Sequence, residues 1–229
     1  MRVSHRLWQT SGAAISMNYN IISTGSQGNA IVLNNIILLD CGVPFRELKD
    51  VYKDLKIVLL THAHGDHFNK TTIRKLSQER PTLRFACCSW LVSALLQCGV
   101  SIHNIDVLEI GRIYSYKTFQ VSPVKLYHDV DNAGWRVFMN AEKAIYMTDT
   151  VTLEGITAKN YDLYLVEANY ITEELEERIR AKEAAGEYVY EYRVQKVHLS
   201  KEKADEWLLE NIGENSEAVY IHQHIEKGG

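Results

Sequence analysis

Short apolar runs bounded by polar turns recur along the chain. Residues 19–23, 30–33, 36–39, 57–60, 83–87 and 105–108 are each four or five residues long and rich in isoleucine, valine and leucine. Runs this short and this unbroken read as buried strands, because a helix of the same apolar content would need more length. Residues 113–116 with 119–127, and 135–139 with 144–147, read as hairpins, the second turning over 140–143. Residues 161–166 and 218–221 complete the predicted strands. Helical spacing appears between them. Phe45, Leu48 and Tyr52 share one side of a predicted helix over 44–54 that starts at Pro44. Further helices are predicted over 70–79, stopped by Pro81, over 90–98, ended by Gly99, and over 201–211, capped by Ser200. A long helix opens at Thr172 with acidic residues, which suits its dipole, and breaks at Gly186. Residues 188–197 fit helix or strand equally.

The loop Ser23-Thr24-Gly25-Ser26-Gln27-Gly28-Asn29 carries two glycines, but a strand follows it rather than a helix. A phosphate-binding loop needs the helix, so a hairpin turn is the better reading. Residues 1–16 differ from the rest: Arg2, His5 and Arg6 precede a small-residue stretch without the apolar core of a signal peptide. They are expected to be an extension, with the natural start at Met17 and a single domain over 17–229. Composition narrows the class. The 229 residues are 46% hydrophobic and 24% charged with a net charge of −4, so no basic field draws nucleic acid to the whole surface. No apolar stretch reaches the ~18 residues of a membrane helix. Cys41, Cys87, Cys88 and Cys98 form no C-x-x-C, and the adjacent pair argues against a disulfide framework. Reduced thiols and a cytoplasmic location are expected.

The chemistry gathers where the apolar runs stop. The run over 57–60 leads into Thr61-His62-Ala63-His64-Gly65-Asp66-His67, three imidazoles and a carboxylate with a glycine expected to tighten the turn. An α/β sheet presents its ligands at such strand ends. Imidazole and carboxylate together suit zinc, iron, nickel or manganese. Other strands end at Asp40, at His128, at Thr148-Asp149-Thr150, at Glu167 and at His222. Alone, each has a plainer reading: Asp40 a strand-end cap, His128 a surface histidine, Asp149 or Thr150 a helix N-cap.

The pattern H-x-H-x-D-H, together with S-T-G-S-x-G-N, L-L-D-C-G and T-D-T, resembles the signatures of the metallo-β-lactamase superfamily, close to its phosphodiesterase and nuclease-like branch. The resemblance covers about residues 19 to 224. It implies an α/β fold, a four-layer αββα sandwich of two mixed β-sheets. It implies two divalent metal ions, zinc by ligand type with manganese as the alternative. His62, His64 and His128 would serve one ion, Asp66, His67 and His222 the other, and Asp149 would bridge them. Asp40 would orient the ligand rings. A hydroxide between the ions would be the nucleophile, with Asp66 orienting it, and His198, held by Glu167, would protonate the leaving group. His198 and His224 stay open as alternatives to His222. The substrate implied is a phosphodiester, with nucleic acid as one class. Thioester or lactam hydrolysis is the alternative on the same scaffold, followed by an iron oxidoreductase and a non-catalytic binding protein.

Overall fold

A computed structural model of the protein describes residues 17–223, so the expectations placed on residues 1–16 and on His224 lie outside the described residues. The apolar runs form two six-stranded sheets. The first holds, in spatial order, β1 (Tyr19–Ser23), β2 (Ala30–Leu33), β3 (Ile37–Leu39), β4 (Ile57–Leu59), β5 (Arg84–Cys87) and β6 (Ile105–Val107). The second runs β12 (Glu217–Ile221), β11 (Leu163–Glu167), β10 (Glu142–Met147), β9 (Asp131–Met139), β8 (Gln120–Tyr127) and β7 (Tyr114–Ser115). In each sheet the early strands pair antiparallel and the later ones parallel: β1–β2–β3 then β4 to β6, and β7 to β10 then β11 and β12. Both sheets are therefore mixed, and the two halves repeat one plan that their sequences do not share.

The side-chain period of two builds the layers. In β3, Ile37 and Leu39 face the second sheet, against Trp135, Tyr146 and Leu165, while Leu38 faces outward. The outward face of the first sheet packs on α1 (Lys70–Glu79) and α2 (Val92–Gln97) through Ile73, Leu76 and Leu95. The outward face of the second packs on α5 (Lys201–Asn211) through Ala204, Trp207 and Leu208. Three apolar interfaces separate four layers, the αββα sandwich. A strand buried on both faces has no polar side to alternate with, which is why these strands read as continuous apolar runs. A smaller cluster, Leu175 and Ile179 of α3 (Thr172–Ala185) with Val194 of α4 (Glu191–Val197), roofs one end.

Local signals explain the helix ends. Asn69 accepts from Thr72 N–H at 3.0 Å and Ser200 from Lys203 N–H at 3.3 Å. Gly186 ends α3 in the left-handed conformation. Three expectations change. The helix over 44–54 is only a 3-10 turn, Phe45–Leu48, and the chain beyond it is pinned by the Arg80 guanidinium, which donates to the carbonyls of Tyr52, Lys53 and Leu55. The ambiguous segment 188–197 resolves into α4. Strand β9 starts at Asp131, not 135, and zips onto β8 with Tyr127 opposite Asp131. His128 thus sits in a three-residue hairpin tip. The four cysteines are buried and free. No helix among the described residues is long and apolar enough to cross a membrane.

Candidate metal centre

The loop after β4 turns because His67 and Phe68 both donate their N–H to the His64 carbonyl, at 3.0 and 2.7 Å. Gly65 does not make this turn. Its φ lies outside the left-handed region, and a Cβ there would meet nothing within 4 Å. The glycine that matters is Gly42, where a Cβ would stand 1.7 Å from the Asp66 carbonyl oxygen. Beside it, Asn29 N–H donates to that carbonyl at 2.6 Å and Gly42 N–H to the Asn29 carbonyl at 2.9 Å. The hairpin loop 24–29 and the L-L-D-C-G turn thus clamp the loop that carries the imidazoles.

Seven predicted residues converge in two groups. In the first, His64 Nδ1 lies 3.2 Å from His62 Nε2 and 3.3 Å from His128 Nε2, and Asp149 Oδ2 lies 3.2 and 3.6 Å from those two Nε2 atoms. In the second, His67 Nε2 lies 3.2 Å from the same Asp149 Oδ2 and 3.6 Å from Asp66 Oδ2, which is 4.0 Å from His222 Nε2. One ion with four donors at zinc distances needs those donors about 3.3–3.5 Å apart. The spacings fit. A single oxygen, Asp149 Oδ2, faces both groups, whereas Asp149 Oδ1 turns to His222 Nδ1 and Thr148 Oγ1. The first four donors come from the loop after β4 in one sheet; His128, Asp149 and His222 follow β8, β10 and β12 in the other.

Buried partners set which nitrogen each ring offers. Thr61 Oγ1 lies 3.0 Å from both Asp40 oxygens and donates there, so it accepts from His62 Nδ1 at 2.9 Å. Asp40 Oδ2 holds His67 Nδ1 at 2.7 Å and accepts from Tyr146 at 2.9 Å. His128 Nδ1 lies 2.8 Å from the Val197 carbonyl. A carbonyl can only accept, so the proton is on Nδ1. All three rings therefore aim the Nε2 lone pair inward, the orientation metal-ligating histidines require.

The electrostatics call for a cation. Burial pushes His62 down to about 4, helped by His67, so its lone pair is free at neutral pH. Burial also opposes a proton on His67, but the Asp149 and Asp40 carboxylates outweigh it and raise that ring. Burial raises Asp149 in turn, yet His67 and His222 hold it well below the usual carboxylate range. A buried carboxylate that demands positive charge from its neighbours can take it from a metal ion in place of a proton.

The third feature is a dyad. Glu167, fully buried, holds His198 Nδ1 at 2.6 Å with Oε1, and Oε2 accepts from Thr150 N–H at 2.8 Å. His198 clusters with Glu167, Asp149 and His222, so it shares two members of the second group while Asp66 and His67 stand outside its cluster. Burial and then Asp149 push Glu167 up to about 8, while burial lowers His198. Both shifts favour a pair sharing one proton over a separated ion pair. The dyad and both groups open on one cleft of about 310 Å³.

Two features of the site carry no local sequence signal: its left-handed backbone positions and the residues that brace them. Asp40, Asp149 and His222 have φ of 56°, 53° and 53°, a region only Gly, Asn and Asp enter readily. Asn132 braces one of these positions, donating to the Asp149 carbonyl at 2.7 Å, and Asn169 another, donating to the His222 carbonyl at 3.0 Å. Asp129, beside His128 in the hairpin tip, sets Oδ1 at 3.2 Å from His128 Nε2 and 3.4 Å from His64 Nε2.

Residues 35–223 match the family model described as a β-lactamase superfamily domain. Exodeoxyribonuclease WalJ of Streptococcus pneumoniae is 24% identical over 233 aligned residues, covering 93% of this chain and 83% of that one. Among solved structures, the metallo-β-lactamase fold protein YhfI from Bacillus subtilis aligns with a TM-score of 0.69 at 16% identity, over 92% of this chain and 88% of that one. The short form of human tRNase Z aligns with a TM-score of 0.65 at 16% identity, over 90% of this chain and 92% of that one.

Proposed function

The chain belongs to the metallo-β-lactamase superfamily, and from that premise we propose that it is a dinuclear metal-dependent hydrolase of phosphodiester bonds acting on nucleic acid. The observation that carries the reading is one oxygen, Asp149 Oδ2, facing two groups of metal-type donors while the Glu167–His198 dyad opens on the same cleft. The similarity to an exodeoxyribonuclease and the shared fold with a tRNase support the choice of a nucleic acid.

His62, His64 and His128 would hold one ion, Asp66, His67 and His222 the other, and Asp149 both. Five imidazoles favour zinc, and the two carboxylates admit manganese. Bound there, two dications would neutralise phosphate oxygens and lower the pKa of a water between them. The protein supplies the rest. Asp40 and Thr61 fix the rings, so no side-chain reorganisation is needed when charge develops. Asp66 is the more exposed of the two carboxylates and can orient the attacking water. Glu167 holds His198 by Nδ1, leaving the far ring nitrogen to give its proton to the leaving oxygen.

Elemental analysis paired with a substrate panel tests this. Two transition-metal ions per chain are expected, with hydrolysis of bis-aryl phosphodiesters and of DNA or RNA. A protein that takes up no metal, or that cleaves thioesters or lactams and no phosphodiester, would overturn it.

A further inference from the structure

The cleft has one wall with chemistry that neither the ions nor the dyad explains. Helix α4 lines it with Arg193, and the residue that caps its start, Tyr190, lines it too. These residues are three apart, so they share one face of the helix. Among the described residues, Arg193 is the only lysine or arginine lining a cleft whose other charged or titratable walls are Asp66, Asp149, Tyr190 and four imidazoles. Its guanidinium makes a single hydrogen bond among the described residues, Nη2 to Asp129 Oδ2 at 2.7 Å. The other oxygen of Asp129 is the one that approaches His64 and His128. Arg193 is thus tethered one carboxylate away from the first donor group, with most of its five donors free and its side chain 61% exposed. Tyr190 is 41% exposed, and Tyr188, just before it, is 84% exposed. The helix itself is anchored, by Val194 in the small apolar cluster and by the Val197 carbonyl on His128.

An exposed aromatic ring beside a tethered guanidinium suits a ligand with a flat π-face and a flanking phosphate. A single-stranded polynucleotide has both in every residue. A phosphorylated peptide would use the arginine and leave the rings idle. We propose that Arg193 and Tyr190 form a subsite for the nucleotide next to the bond being cleaved, Arg193 taking its phosphate and Tyr190 stacking on its base. Asp129 is the positioning residue, holding the guanidinium over the cleft. The subsite rests on the phosphodiesterase reading above and gives it a preference for unpaired strands.

The test is equilibrium binding, followed by fluorescence anisotropy across a salt series, of the metal-loaded protein to short phosphorothioate strands of DNA and of RNA, which resist cleavage. Hydrolysis of bis(p-nitrophenyl) phosphate is measured on the same preparations. Losing one phosphate contact on a single strand lowers the slope of log affinity against log salt by ~0.7. Arg193→Ala should lose about that much slope, and Arg193→Lys should keep the slope while binding more weakly, because the charge remains and the fork does not. Tyr190→Ala should weaken binding roughly five- to a hundredfold with the slope unchanged, and Tyr190→Phe should retain it. Asp129→Asn should weaken binding less than Arg193→Ala. The tighter of the two strands identifies the sugar. An Arg193→Ala protein with the wild-type slope, or a Tyr190→Ala protein with wild-type affinity, overturns the subsite. Absence of hydrolysis in the wild type, with the binding pattern intact, overturns the phosphodiesterase reading instead.

Discussion

Gly42→Ala is the most informative single change in the clamp around the imidazole loop. The new methyl group would lie 1.7 Å from the Asp66 carbonyl oxygen, 2.2 Å from its carbon and 2.8 Å from the Asn29 nitrogen. All three are backbone atoms, so no side chain can swing away. To bring the nearest contact from 1.7 Å to even 3.0 Å, the two backbones must part by at least 1.3 Å. That separation breaks the bonds from Asn29 N–H to the Asp66 carbonyl and from Gly42 N–H to the Asn29 carbonyl. Each of the two N–H donors left without its carbonyl costs about 1–3 kcal/mol, so roughly 2–6 kcal/mol in all. A typical domain has about 5–15 kcal/mol in total. The same shift moves Asp66 and His67 by more than the ~1 Å that can cost about a hundredfold in rate. Urea unfolding should show a clearly lower midpoint, elemental analysis less metal, and the bis-aryl phosphodiester assay a loss of about a hundredfold or more. Gly65→Ala, whose Cβ meets nothing within 4 Å, should keep the wild-type unfolding midpoint. A Gly42→Ala protein with unchanged midpoint and full metal content would refute the clamp.

Two further changes separate roles within the site. His198→Ala should keep both metals and slow hydrolysis by roughly a hundred- to ten-thousandfold on an alkoxide leaving group, and far less on nitrophenolate, which departs without a proton; equal losses, or lost metal, would reject the donor role. Glu167→Gln should give the same pattern more weakly. Asp149→Asn should lose metal from both groups without unfolding, because Asn accepts the left-handed backbone, whereas Asp149→Ala should be less stable by a further ~1–2 kcal/mol. Two metals and normal turnover in the Asn variant would show that Asp149 is a cap and not a bridge.

Strand ends announced the site because apolar runs and metal-type residues alternate so regularly. His62, Asp149 and His222 each follow a buried strand, and a parallel sheet aligns such ends in space without further information. The supporting residues were hidden for the opposite reason. Asn132 opens β9 among polar residues, and its meaning depends on Asp149 lying beside it in the next strand. Arg193 and Asp129 meet across 64 residues, a contact no local pattern encodes. Residues 44–54 have the apolar period of a full helix but form only the 3-10 turn at Phe45–Leu48, and the chain beyond it is held by Arg80, a tertiary partner that no local period encodes. Glycine within a run of imidazoles suggests that Gly65 makes the turn, but the steric need lies at Gly42 and is visible only once two loops touch.

The donors lie on both sheets, and that has a consequence for the life of the protein in a cell. An ion held by His62 after a strand of one sheet and by His128 after a strand of the other would be a cross-link between the halves. In the unfolded chain the same join, from His62 to His128, would close a loop of about 66 residues. Anything that binds only the closed sandwich stabilises it by mass action, about 2.7 kcal/mol at a hundred times its dissociation constant. Metal supply would then govern how often the seam between the sheets opens, and an open seam is what proteases cut. Abundance of the protein would follow the availability of its ions, before any question of catalysis arises.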